Sequence, residues 1–138
     1  MNFINYGDTD MNMKRATTVE QSKQLLNIEI DPKSADHILL NFGDGEYQLD
    51  VLLEGEEVSD KDLKDGDLPA WSLGSLIDIL PENLVEDGCK YEFFLKKTEC
   101  GYYNSELDAY LISFENKLGE DELDTLIRLV EWYKDGQH

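Results

Sequence analysis

The sequence predicts an α+β fold: a two-layer sandwich, with about three helices covering a mainly antiparallel sheet of about five strands. Three observations carry this. Apolar residues recur at helical spacing near both ends of the chain and in its middle. Between those segments lie runs rich in β-branched and aromatic residues, bounded by glycine and aspartate. The 138 residues also match what one domain of about 100–150 residues holds, so the elements are expected to share one core over 13–138.

The expected order is α-ββ-α-βββ-α. Thr17-Thr18-Val19-Glu20 reads as a helix start, with Thr17 as the cap and Glu20 reaching back to close a capping box. Val19, Leu25, Leu26 and Ile28 supply its apolar face. Asp31-Pro32 is a second cap-plus-proline signature, opening a single turn that leads into a strand. His37 to Phe42 and Glu46 to Leu53 flank Gly43-Asp44-Gly45 and predict a hairpin, because glycine and aspartate tolerate the positive φ of tight turns.

Glu54 to Asp67 reads as an acidic loop with seven acids and two lysines, net −5. Pro69 then opens a helix, Ala70 to Leu80, with Trp71, Leu73, Leu76, Ile77 and Leu80 near one face and Pro81 as its stop. Tyr91 to Lys97 predicts a strand that presents Tyr91, Phe93 and Leu95 on one side. Glu99-Cys100-Gly101 reads as a turn into a strand at Tyr102-Tyr103, and Ala109 to Phe114 predicts another with Tyr110, Ile112 and Phe114 in alternation. The clearest element is a helix over Glu120 to Lys134, with a stripe of Leu123, Leu126, Ile127, Val130 and Tyr133 or Trp132. Acids at its start and Lys134 near its end suit the helix dipole, and Gly136 is its stop. Residues 1–12 lack periodicity and are expected to be a flexible tail, with Met13 as an alternative start.

Charge narrows function. Thirty-one acidic residues against twelve basic ones give −19 at pH 7. That field repels phosphates and anionic headgroups and argues against direct binding to nucleic acid or membrane. No apolar run approaches the roughly 20 residues that span a bilayer, and no signal-peptide pattern opens the chain. A cytoplasmic setting is expected, with Cys89 and Cys100 as reduced thiols.

Chemical motifs are weak. The acidic loop breaks the calcium-loop frame, because Lys64 falls at a ligand position whether the frame starts at Asp60 or at Asp62. Two cysteines and two histidines in no ligand spacing do not make a zinc site, and Gly43-Asp44-Gly45 lacks the lysine of a phosphate loop. A thiol–imidazole pair of Cys89 or Cys100 with His37 has no motif behind it. No catalytic residue, metal or cofactor is expected. Trp71 reads as a core residue or, alternatively, as a contact anchor of the kind enriched at interfaces. Adjacent strand residues face opposite ways, so one of Tyr102 and Tyr103 is expected to point outward.

Two segments carry a resemblance. Lys14-Arg15-Ala16-Thr17-Thr18-Val19-Glu20-Gln21-Ser22, followed by Asp31-Pro32-Lys33-Ser34-Ala35-Asp36, is one; Leu68-Pro69-Ala70-Trp71-Ser72-Leu73-Gly74-Ser75-Leu76, ending at Leu80-Pro81, is the other. Together they resemble a family of small proteins from gut Bacteroidales, often encoded on prophages and other mobile elements. Members usually begin at the position of Met13, which implies that residues 1–12 are an appendage. The resemblance implies no activity, cofactor or site.

The expectation is a non-enzymatic acidic accessory protein that acts through contact with another protein, as a monomer or weak homodimer. Its candidate surface joins Trp71 to the loop acids Glu56, Glu57, Asp60, Asp62, Asp65 and Asp67, with Tyr102 and Tyr103 as further candidates. The alternative is an acidic inhibitor that imitates nucleic acid toward a nucleic-acid-processing enzyme.

Overall fold

Capping chemistry and strand register organise residues 16–136, which the computed structural model describes; the expected tail at 1–12 lies outside them. The elements are α1 (Val19–Asn27), a 3-10 turn (Pro32–Ser34), β1 (His37–Gly43), β2 (Glu46–Val51), α2 (Asp60–Lys64) and β3 (Leu68–Ala70). They continue with α3 (Leu73–Ile77), β4 (Asn83–Glu86), β5 (Cys89–Leu95), β6 (Glu99–Asn104), β7 (Ala109–Glu115) and α4 (Glu122–Gly136). The class is α+β. The strands divide into two antiparallel sheets, one of three strands in the order β2-β1-β3 and one of four in the order β4-β5-β6-β7.

The expected single sheet of about five strands is replaced by two sheets, and β3 and β4 are strands beyond those expected. β3 contains Pro69, which pairs with Ile38 on an edge strand instead of opening a helix. On an edge, the missing N–H leaves no central ladder bond unmade. The helix begins only after Ser72, whose hydroxyl accepts from the Ser75 N–H. β4 reaches β5 through Asp87 and Gly88, both at positive φ (51° and 77°). That is the aspartate–glycine pair a two-residue hairpin turn requires.

Two further boundaries shift. Thr18, not Thr17, caps α1, and Gln21 closes the box with the Thr18 N–H. Thr17 is committed elsewhere, as described below. Glu99-Cys100-Gly101 is strand, not turn. A Cβ on Gly101 would sit 2.1 Å from the Ile112 carbonyl oxygen and 2.9 Å from the Ser113 Cα of β7. Glycine is there because the neighbouring backbone comes too close for any side chain.

The larger core gathers Leu25 of α1, Trp71, Leu76 of α3, Tyr102 of β6 and Leu126, Leu129 and Val130 of α4. α4 packs on β6, β7 and α3. Its start carries a carboxylate box, in which Asp121 and Asp124 each accept the other's backbone N–H. Arg128 ties α4 back to β7 by donating to the Glu115 carbonyl oxygen (2.5 Å) and to Glu120 Oε1 (2.6 Å), and it lies over the Phe114 ring. The smaller core is Ala16, Leu39, Leu68 and Ala70, with Tyr47 and Leu49 at its rim. Leu26 of α1 touches both.

Trp71 stands where the two cores meet and is 0% exposed. Its indole Nε1 donates to Ser34 Oγ at 2.9 Å. Its backbone N–H donates to Thr17 Oγ1 at 3.0 Å, and its carbonyl accepts from the Thr17 N–H at 2.9 Å. Thr17 Oγ1 also pairs with Ser22 Oγ. Removing the indole opens a cavity that rigid elements on several sides cannot fill. Trp71→Ala is therefore expected to cost about 3–5 kcal/mol in urea unfolding, and Trp71→Phe less. An alanine variant within about 1 kcal/mol of wild type would refute this central position.

Candidate contact surface

The surface expected from sequence does not assemble. Trp71 is buried, so it anchors the core and cannot act as a contact residue. Several of the loop acids are occupied in holding the loop. Glu56 Oε1 accepts from the Leu53 N–H at 2.7 Å. Asp62 accepts from the Ser59 N–H while Ser59 Oγ accepts from the Asp62 N–H, which caps α2. Asp67 Oδ1 accepts from the Asn41 N–H of β1 at 2.8 Å, and Asp65 lies 3.3 Å from Lys61 Nζ. Glu56 and Asp65 stay exposed while making these bonds, as do Glu57 and Asp60.

The paired tyrosines behave as strand geometry requires. Tyr102 is fully buried, edge-on to Phe93, with its hydroxyl donating to the Pro81 carbonyl oxygen at 2.7 Å. Burial first, with smaller effects from Tyr133 and Cys100, raises its hydroxyl far above the ordinary range. Tyr103 points the other way, onto the face of the four-stranded sheet opposite α4.

That outer face gains its character from a bulge. β7 pairs Tyr102 with Ile112 and then Tyr103 with Tyr110, leaving Leu111 as the extra residue. A one-residue slip sends the next side chain to the other face. Ile112 and Phe114 stay against the core, and Tyr110, expected beside them, stands outward and is 52% exposed. Leu111 lines a cleft of about 250 Å³ with Leu84, Trp132 and Tyr133.

Three rings meet as a result. Tyr110 lies 4.9 Å from Tyr103 and 5.6 Å from Phe94, centroid to centroid, with ring planes tilted by 46° and 59°. Phe94 is the cross-strand partner of Gly101, so its ring leans over backbone that carries no side chain. Carboxylates border the cluster. Asp108 accepts from the Tyr103 hydroxyl at 2.5 Å, which raises that hydroxyl above its ordinary value. Glu92 pairs directly with Tyr103 across the strands. Lys96 Nζ sits 5.7 Å from the Phe94 centroid and 3.4 Å from Glu99.

Tyr103 was visible as a candidate; Phe94 and Tyr110 were not. The adjacent Phe93-Phe94 offered the same signal as Tyr102-Tyr103. Nothing in the local pattern announced the bulge that turns Tyr110.

Other reactive groups serve packing. Cys100 lies beneath α4, its thiol donating to the Thr125 carbonyl oxygen at 3.7 Å. Burial pushes that thiol up to about 11, so it is protonated at neutral pH. His37 Nδ1 lies 2.9 Å from Asp36 Oδ1, and Ser72 donates both its N–H and its hydroxyl to the same carboxylate. Asp36 thus sits between serine and histidine and anchors the cap of α3. Burial alone would raise its carboxyl, but the hydrogen bonds from Ser72 and His37 outweigh it and hold it below the ordinary value. Among the described residues, no three His, Cys, Asp or Glu side chains converge as metal ligands do, and no helix is long and apolar enough to cross a membrane.

Comparison of the chain with family models, with curated proteins and with solved structures finds no match.

Cys89 is half-buried and Cys100 fully buried. In the native protein Cys89 is expected to react with a thiol reagent well before Cys100, which reacts only after unfolding; equal native rates would contradict the burial of Cys100. A depressed carboxyl contributes stability above its unfolded value of about 3.9 and loses it as pH falls through the folded one. The stability gap between wild type and Asp36→Asn is therefore expected to be widest near neutrality and to close toward low pH. A gap independent of pH in urea melts would show that the anchor is not ionic.

Proposed function

We propose that the chain is a non-enzymatic accessory protein that works by protein–protein contact through the outer face of its four-stranded sheet. The observation that carries this is the bulge-turned Tyr110, which completes a cluster with Tyr103 and Phe94 on the side away from α4. Aromatic side chains contribute most of the energy at many interfaces, because they bury large area with few rotors to freeze. Tyr110 stays 52% exposed although it packs beside two other rings, which favours a role at the surface. The acidic loop is the periphery of this reading and not its centre, since its carboxylates cap and tie the chain.

The net charge of −19 favours a second reading, an acidic inhibitor that presents carboxylates to a basic nucleic-acid-processing enzyme. In that case contact falls steeply with added salt and is indifferent to the rings.

The two are separated by comparing the proteins retained from host lysate by wild type and by a folded Phe94→Ala/Tyr110→Ala variant, over steps of salt. Proteins held by wild type and lost by the variant are the expected result. Retention that is identical for both proteins and is abolished by moderate salt would reject the aromatic face and favour the inhibitor.

A further inference from the structure

We propose that the aromatic face receives cationic side chains, so that the partner docks on it with an arginine-bearing basic segment; this rests on the contact reading above. The rings present electron-rich faces, which attract ammonium and guanidinium groups. Tyr110, 52% exposed, offers the most open face. Carboxylates stand where a bound cation needs them: Asp108 at the Tyr103 hydroxyl and Glu92 as the cross-strand partner of Tyr103.

The chain already makes this interaction twice, with Arg128 over the Phe114 ring beside Glu120 and, on this face, with Lys96. Lys96 places its ammonium 5.7 Å from the Phe94 centroid while pairing with Glu99 at 3.4 Å, a ring and a carboxylate sharing one cation. Tyr110 with Asp108 and Glu92 repeats the chemistry one row along the sheet, without a resident cation among the described ion pairs. An uncharged partner would cover Glu92 and Asp108 and leave them without a counter-charge, which is costly. A second copy of the chain would bring a further −19 against the same field. Arginine suits the site better than lysine, because its planar guanidinium stacks on a ring and still reaches a carboxylate with two N–H groups.

The test titrates the folded protein with a short glycine-serine peptide carrying three arginines, followed by amide NMR at physiological salt. Its counterpart replaces arginine by citrulline, keeping shape and removing charge. The expected shifts centre on Phe94, Tyr103 and Tyr110, and the citrulline peptide binds about tenfold or more weakly. Tyr110→Leu, which keeps apolar bulk and removes the ring face, weakens the arginine peptide about three- to tenfold. Lys96→Met, which removes the resident cation, tightens it. Equal affinity for the two peptides, with shifts still on the rings, would overturn the cation assignment and leave the contact face standing. Shifts centred on residues 54–67, with affinity unchanged in Tyr110→Leu, would also overturn it. The contact reading fails separately, when retention from lysate does not depend on the rings.

Discussion

Everything in this molecule hangs on the reciprocal bond between Thr17 and Trp71. Each residue donates its backbone N–H to an oxygen of the other, across an interval of the chain that contains the whole β1–β2 hairpin and the acidic loop. Their neighbours Ala16 and Ala70 belong to the smaller core, and Trp71 itself to the larger one. The joint therefore fastens the entry to α1 onto the strand-to-helix passage at β3 and α3, between the two cores. A fully buried indole with a satisfied N–H is what makes such a joint rigid, because both its area and its polar atom are accounted for.

The acid excess is put to work around that joint. Asp31 accepts from the Lys33 N–H, Asp62 closes the cap of α2, Asp36 anchors Ser72, and Asp121 with Asp124 opens α4. Carboxylates at helix starts satisfy N–H groups that have no partner within the helix and complement its dipole. Much of the negative charge near the turns is thereby a folding device, and the surface reading falls instead on a face whose rings, not its charge, set it apart. Arg128 is the counterpoise, gathering Glu120, the Glu115 carbonyl and the Phe114 ring into one tie.

The class, the β1–β2 hairpin, α1 and α4 were legible, because each combines a period with end signals: Gly43-Asp44-Gly45 between apolar runs, and Leu123, Leu126, Ile127 and Val130 behind a row of acids. The division into two sheets was not. Pro69 has the same sequence appearance at a helix start as on an edge strand, and only pairing with Ile38 distinguishes them. Asp87-Gly88 has the composition of the β4–β5 turn, but the β4 residues before it are only half apolar and were not expected to be a strand. At the candidate surface, the opposed facing of Tyr102 and Tyr103 followed from pleat geometry. Trp71 could not be assigned between core and contact until its neighbours were known. Tyr110 was misplaced because a bulge is a property of two strands, set by how β7 lies against β6, and no window of one strand contains it.

The extra residue in β7 also bears on how such a surface persists. Ile112 and Phe114 keep their places against the core on one side of Leu111, and Tyr110 changes sides on the other. With Leu111 removed, Tyr110 would follow Ile112 in regular alternation and still stand opposite Tyr103, so gain or loss of that one codon alters the inner face and spares the outer rings. Lineages can therefore vary the cleft beside α4 by one residue in a single mutational event without dismantling the aromatic face on the other side of the sheet.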